Sequence, residues 1–299
     1  MLFTHKNICF YYDPLPYYVG VYYQMIIETI QKFIYNNEDI SINITLCNNY
    51  YNFNNNNKTI KININFEHTI VKNGGRDVPN NTPYGNIKDD NNNNYLVRID
   101  KYNKLNNSDI IIDYSIPNIK NCEFINAFLN RHIYIASSIY ELNFIKENRN
   151  ILTLTTFINT NEPYRSKLLT DIHSKNIPHV NVNNCFEKND LQNLYKNTKI
   201  LINIHQTPHH HTFEELRVLP ALELGVIVIC EKSPLVELIP YHDYIIWSSY
   251  ENILDKTIEV LNNYDYYHNL IFSNNKINTL SNLKNINYNI LSDSILSNI

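Results

Sequence analysis

The run from Ile200 to Glu231, ILINIHQTPHHHTFEELRVLPALELGVIVICE, constrains this chain more than any other stretch. Ile200 to Ile204 is an apolar run of strand length, His205-Gln206-Thr207-Pro208 breaks it, and His209, His210 and His211 fill a polar loop. Thr212 can cap a helix that runs to Leu224, Gly225 stops it, and Val226 to Cys230 reads as a second buried strand. Strand, loop, helix and strand in that order place a helix start and several polar side chains at the carboxyl edge of a parallel sheet. Open α/β folds bind phosphate-bearing ligands at that edge.

The rest of the chain has to supply the sheet. At 299 residues it exceeds the usual domain size, so one large or two medium α/β domains are expected. An apolar fraction of 43% supports real cores, and a net charge of −4 with no Lys/Arg stripe disfavours nucleic acid as the partner. Cys9, Cys47, Cys122, Cys185 and Cys230 are far apart and form no CxxC pair. Cys9, Cys47 and Cys230 sit in apolar runs, which suits reduced core thiols. The N-terminal MLFTHKNICFYYD lacks the apolar core of a signal peptide, and no stretch reaches the ~18 apolar residues of a bilayer span. No integral membrane segment and a soluble, cytoplasmic setting are therefore expected. Asn, Ile, Lys and Tyr abound while Gly and Arg are scarce, and the Asn-rich runs at 54–57 and 91–94 read as an AT-rich coding bias.

Residues 7–12 form the first expected strand, followed by a helix over about 21–35, whose apolar positions from Met25 to Ile34 recur at helical spacing. Strands are expected at 41–47, 59–66, 95–99, 110–114 and 132–136, with a turn at Ser115-Ile116-Pro117-Asn118 and a long Gly-Pro-rich stretch over 72–94. The pattern loosens at KENRN near 150, which sets a boundary between domains at 1–148 and 149–299. The second half is more regular: strands at 151–157, 178–182, 200–204, 226–230 and 244–248 alternate with helices at 162–175, 188–197, 212–224 and 250–263. That alternation predicts a parallel, doubly wound sheet. The tail from Tyr264 to Ile299 reads as helical and can pack back across the first domain.

Two consecutive α/β halves with the sharper motifs in the second resemble the two-Rossmann (GT-B) glycosyltransferases. The segment TFEELRVLPALELGVIVICEKSPLVELIP resembles the donor-binding segment of glycosyltransferase family 1, and IPYHDYIIWSSYENI resembles the segment that follows it in exostosin-like members. The resemblance implies two Rossmann-like domains with parallel sheets facing across a cleft, an N-terminal acceptor domain and a C-terminal domain binding a nucleotide-sugar. It implies transfer of a sugar from that donor to a hydroxyl of a carbohydrate, protein or lipid acceptor, with no metal and no other cofactor. Glu215 and Glu223 match the E-x7-E spacing of retaining members, but Glu223 lies two residues before Gly225 where the family's second Glu lies five before it. Retaining and inverting outcomes therefore stay open, as does a degenerate chain that binds nucleotide or sugar without turnover.

A diphosphate needs cationic donors and helix N–H groups, and sugar hydroxyls need carboxylates. On the donor side the expected residues are His205, His211, Thr212, Glu214, Glu215, Arg217 and Glu223, with Arg165 and Lys167 from the first turns of the helix over 162–175. Each has a plain alternative. Thr212-x-x-Glu215 is a capping box, Arg217 can pair with Glu214 or Glu215 along the helix, and His205 can be a satisfied histidine at the edge of the core. Three consecutive histidines cannot all reach one ion from a regular element, so no metal site is expected. On the acceptor side Gly20 can admit a close backbone approach or merely serve a turn. His68 or Asp77 can act as base, beside Glu67 and Arg76, and Tyr17, Tyr18 and Trp247 can stack on sugar rings.

Overall fold

Alternation of isoleucine with polar residues builds the two central strands of the first sheet. The structure, a computed structural model, describes residues 1–15, 19–66, 70–72, 84–88, 94–97, 99, 101–123, 125–157, 163–273 and 278–299. Described residues within Met1–Ile70, Val78–Ala136 and Lys284–Ile299 form one unit, and those within Val71–Asp77 and Ser137–Leu283 form another. In the first unit lie β1 (Leu2–His5), β2 (Ile8–Tyr12), α1 (Gly20–Asn36), β3 (Ile42–Leu46) and β4 (Lys58–Asn65). Three short strands follow, β5 (Ile70–Lys72), whose last two residues group with the second unit, β6 (Tyr84–Lys88) and β7 (Asn94–Val97), then α2 (Tyr102–Asn106), β8 (Ile110–Asp113), α3 (Ile116–Cys122) and β9 (His132–Tyr134). The main sheet has the order β1-β2-β3-β4-β8-β9, parallel throughout except for β1, which the sequence reading did not anticipate and which pairs antiparallel with β2.

One face of that sheet is an isoleucine layer: Ile42, Ile44, Ile60, Ile62 and Ile112 are fully buried. Helix α1 covers it, for the Tyr22 ring meets Phe66 and Tyr114 edge-on and its hydroxyl donates to the Ile135 carbonyl at 2.7 Å. The other face buries three asparagines beside Ile111. Asn43 Nδ2 donates to Asn55 Oδ1 (2.8 Å), Asn63 Nδ2 to Asn49 Oδ1 and Ser108 Oγ (2.8 Å each), and Asn65 Nδ2 to Asp113 Oδ2 (2.9 Å). The Asn run at 54–57, read from the sequence as coding bias, thus closes over an asparagine-lined sheet. Two other local readings change. Ser115 starts helix α3 instead of a turn, its hydroxyl accepting from Asn118 N–H at 3.5 Å with proline in the first turn. Within the expected loop over 72–94, Tyr84–Lys88 is a strand paired antiparallel with β7.

The second unit holds β10 (Ile151–Thr155), α4 (Pro163–Ser174), β11 (His179–Asn181), α5 (Lys188–Lys196), β12 (Thr198–Asn203), α6 (Glu215–Glu223), β13 (Ile227–Glu231) and β14 (Ile245–Ser248). Helices α7 (Ile253–Asn262), α8 (Tyr264–Phe272) and α9 (Asn278–Leu296) complete the chain. The five strands are all parallel in the order β11-β10-β12-β13-β14, as their alternation with helices predicts. The chain order reverses once, at the β10/β12 junction. Both sheets are predominantly parallel, so the fold is α/β. Residues from Lys284 onward group with the first unit, where Asn287 grips Ala136 by its N–H and its carbonyl (2.8 and 2.7 Å).

Arg149, in the segment where the sequence pattern loosens, is 5% exposed and donates to four carbonyls. Its guanidinium reaches Ile145 (3.0 and 2.6 Å), Tyr195 (3.1 Å) near the end of α5, Thr198 (2.6 Å) at the start of β12 and Leu224 (2.6 Å) after α6. Helix ends leave such carbonyls without partners, and a cation there also meets the negative end of the helix dipole. Gly225 follows at φ 72°, and a Cβ there would lie 2.8 Å from Phe144 Cα and 3.0 Å from Arg149 Nη2.

Gly225→Ala is therefore expected to cost about 2 kcal/mol or more, from left-handed strain and overpacking together. Arg149→Met removes the side-chain donor from four carbonyls, three of them in buried bonds, and should cost about 3 kcal/mol or more. Urea unfolding measures both, and a change within about 0.5 kcal/mol for either would contradict this account.

His268 of α8 packs between Tyr264 and Phe272; burial first, then the charges of Arg149 and Lys146, push its pKa down from 6.5 to about 4. The folded chain therefore holds it neutral, while the unfolded chain takes up a proton once pH drops below about 6.5. Its stabilising contribution is complete above about pH 6.5 and is lost as pH falls towards 4. His268→Phe should flatten the decline of unfolding free energy between pH 6.5 and 4, and an unchanged slope would show that His268 is not the group titrating.

Candidate functional site

The polar residues that follow β10, β12 and β13 meet at the carboxyl edge of the second sheet. His205 stands two residues beyond Asn203, the last residue of β12, and is 2% exposed. Its Nε2 is 2.9 Å from Ser233 Oγ, and its Nδ1 makes an ion-pair contact at 3.3 Å with Glu231 Oε1 that lacks hydrogen-bond alignment. Glu231, the last residue of β13, accepts the His205 main-chain N–H at 2.9 Å on its other oxygen and the Tyr164 hydroxyl on Oε1. Burial alone would raise the Glu231 pKa; the His205 charge and these hydrogen bonds outweigh it and hold the carboxyl down at about 2. Burial and the Glu231 charge together push the Tyr164 phenol upward, so it stays a donor.

Arg165, in the first turn of α4, is 6% exposed and lies over the Phe157 ring at 4.8 Å. Its Nε donates to the His205 carbonyl at 3.4 Å, and its Nη2 is 3.9 Å from Glu214 Oε1. Arg217 donates from Nη1 to Asn203 Oδ1 at 2.9 Å, and Asn203 Nδ2 in turn reaches Cys230 Sγ at 3.1 Å. Arg165, His205, Glu214 and Arg217 thus stand around the ends of β10, β12 and β13. Two guanidiniums and a histidine in a buried setting can hold an anion by charge-assisted bonds.

The start of α6 lies later than the sequence indicates. Glu214 occupies the cap position with no side-chain cap bond, and the helix begins at Glu215 instead of near Thr212. The expected capping box gives way because the Glu215 carboxylate turns inward, is fully buried and accepts the Tyr241 hydroxyl. Glu223 is equally buried. Its carboxylate accepts the Ser138 hydroxyl and the N–H groups of Ile139 (2.9 Å) and Tyr140 (2.7 Å). The structure therefore does not bring the E-x7-E pair to the cluster formed by Arg165 and His205; both carboxylates face into the fold.

Among the loop histidines, His211 tilts over His205 with ring centroids 4.6 Å apart, and its Nε2 lies 3.0 Å from the Pro208 carbonyl. Thr207 Oγ1 accepts the N–H groups of His209 (3.1 Å) and His210 (3.2 Å), which winds the loop tightly before the buried Thr212. Among the described residues no three His, Cys, Asp or Glu side chains are grouped to hold a metal ion. Lys167 points outward and pairs with Asp171 one turn on. Trp247 of β14 stacks on His242 and meets Phe213 edge-on. Gly20 is the first residue of α1, and a Cβ added there would meet nothing within 4 Å. His68 and Asp77, with Glu67, Arg76, Tyr17 and Tyr18, lie outside the described residues. All five cysteines are free; Cys47, Cys122 and Cys230 are buried, and Cys9 is half-buried, less than its apolar run suggests. Among the described residues no helix is long and apolar enough to cross a membrane.

Sequence reasoning missed Glu231, Tyr164, Ser233 and Asn203. A signal for Glu231 and Asn203 existed: each is a polar residue closing a buried parallel strand, the position that faces the carboxyl edge.

No family model matches the chain. Over 192 residues, 60% of this chain, it is 31% identical to a protein of Acanthamoeba polyphaga mimivirus named uncharacterized protein R358, and the match spans 65% of that protein. Among solved structures it is similar to a variant of S. aureus TarM in complex with fondaparinux, alpha-GlcNAc-glycerol and UDP, at 12% identity and a TM-score of 0.44, over 89% of this chain and 57% of TarM. A second TarM structure gives 12% and 0.42 over 89% and 56%. A glycosyltransferase from Rickettsia africae gives 11% and 0.45 over 98% of this chain and 99% of its own. This chain thus spans about two thirds of the viral protein and a little over half of TarM.

The contrast between inward and outward carboxylates and amines gives a direct test. Glu223→Ala leaves two buried N–H groups without an acceptor and is expected to cost about 3 kcal/mol or more, while Lys167→Ala should stay within about 0.5 kcal/mol. Equal urea midpoints for the two variants would contradict the assignment of Glu223 to the core.

Proposed function

We propose that this chain is a glycosyltransferase that moves a sugar from a nucleotide-sugar donor to a hydroxyl acceptor without a metal, the donor diphosphate lying at the carboxyl edge of the second sheet. One observation carries the reading: Arg165, in the first turn of the helix after β10, and His205, just beyond β12, flank the single reversal of strand order and touch there, Nε to carbonyl at 3.4 Å. A crevice outside the strand ends at such a reversal is where open parallel sheets take nucleotides. Arg165 and Arg217 supply charge-assisted donors for the leaving diphosphate, and the start of α6 adds the positive end of a helix dipole. Glu214, within 3.9 Å of Arg165, is the carboxylate best placed to accept ribose or sugar hydroxyls. The acceptor, a hydroxyl of a carbohydrate, protein or lipid, and a base, His68 or Asp77, complete this reading.

The burial of both Glu215 and Glu223 favours a second reading, a chain that binds the nucleotide-sugar without turning it over, since neither carboxylate of the E-x7-E pair is left for a sugar.

Isothermal titration against UDP- and GDP-sugars, followed by assays of donor hydrolysis and transfer, separates the two. Binding is expected, and Arg165→Ala and Arg217→Ala should each weaken it by about ten-fold or more, one lost charge-assisted bond. Binding without hydrolysis or transfer selects the second reading. If no nucleotide-sugar binds, both are wrong.

A further inference from the structure

We propose that Glu231 is a positioning residue for the donor diphosphate, acting through Arg165; this rests on the donor reading above. Its carboxylate ties together the two loops that flank the reversal in strand order. From the loop after β12 it takes the His205 main-chain N–H at 2.9 Å and the His205 ring at 3.3 Å. From the first turn of α4 it takes the Tyr164 hydroxyl. Besides resting on the Phe157 ring and facing Glu214, Arg165 is held by its covalent neighbour Tyr164 and by the His205 carbonyl that its Nε reaches, and Glu231 pins both of these last two residues. Tyr250 closes the other side: its ring stacks on Tyr164 at 4.1 Å and its hydroxyl donates to the Tyr164 carbonyl at 2.9 Å.

The position calls for a carboxylate. It receives one hydrogen-bond donor on each oxygen, with the His205 ring in ion-pair contact beside them, and only an ionised carboxyl accepts on both oxygens. A glutamine would replace one acceptor by an N–H pair facing the Tyr164 hydroxyl or the His205 N–H. With its pKa held at about 2, Glu231 keeps its charge throughout the neutral range and stands as a fixed anion beside His205. A residue that only fastened β12 to β13 would change stability and leave the contribution of Arg165 to diphosphate binding intact. A residue that aims Arg165 loses its effect on binding once Arg165 is gone.

A double-mutant cycle on the full chain distinguishes these. Isothermal titration with UDP, GDP, ADP and CDP identifies the nucleoside diphosphate that binds, and its Kd is then measured for Glu231→Gln, Arg165→Ala and the double variant. Glu231→Gln is expected to weaken binding about ten-fold, with the double variant no weaker than Arg165→Ala alone. Tyr164→Phe removes one donor to Glu231 more gently and serves if Glu231→Gln fails to fold; it should weaken binding about three-fold, and not at all in the Arg165→Ala background. Losses that multiply, or a first variant within two-fold of the parent chain, overturn the role of Glu231 and leave the donor reading standing. If the parent chain binds none of the four diphosphates, the donor reading falls and this proposal with it.

Discussion

The second unit depends on one buried guanidinium. In a β-α-β succession every helix returns its carboxyl end to the amino edge of the sheet, and its last carbonyls have no partner within the helix. Arg149 stands two residues before β10 and serves the ends of both α5 and α6, and the first residue of β12, from one side chain. Its charge is opposite to the helix dipoles it meets, so burial lowers its pKa without neutralising it. The first unit meets the same demand at the opposite edge with the opposite charge. Asp113, closing β8, is fully buried and accepts from the Ser115 N–H (2.9 Å), Asn118 Nδ2 (3.4 Å), Asn65 Nδ2 (2.9 Å) and His132 Nε2 (3.3 Å). A cation where helices end and an anion where a helix begins is what the direction of the peptide dipole dictates.

In the second unit local periodicity was enough to find the strands. Ile200 to Ile202 and Ile227 to Ile229 are fully buried, and runs buried on both faces leave no choice but a central parallel strand. What failed was the start of α6, because a capping box is a local pattern and Glu215 answers to a distant group. Tyr241, twenty-six residues on, takes its carboxylate. The E-x7-E spacing misled for a related reason. Residues eight apart sit about 80° from one another around a helix, hence on one face, and on α6 that face is the buried one. Spacing says which residues share a face; only packing says where the face points.

Composition misled in another way. Asparagine so abundant reads as a coding bias, and it is dispersed through strands and loops alike. Yet Asn43, Asn63 and Asn65 occupy alternate strand positions on one side of the first sheet, with Asn49 and Asn55 meeting them from the connection above. An amide offers donors and an acceptor together, so a layer of amides can satisfy itself where hydroxyls or charges alone would leave groups unpaired. On β3 and β4 isoleucine takes one face, and the asparagines of the other face are buried as well.

The placement of the candidate site follows from topology more than from any single residue type. The first sheet runs in chain order from β1 to β9 without a reversal, so successive loops at its carboxyl edge leave no crevice of the doubly wound kind. In the second sheet β10 has β11 on one side and β12 on the other, and the chain must cross between them. Helix α4 and the segment after β12 lie on either side of that junction, and residues 165 and 205, forty apart in sequence, come within hydrogen-bond reach. An arginine in a helix's first turn and a histidine after a strand are each ordinary in sequence. The order of the strands makes them neighbours, and Glu231, from the next strand along, holds the neighbourhood in place.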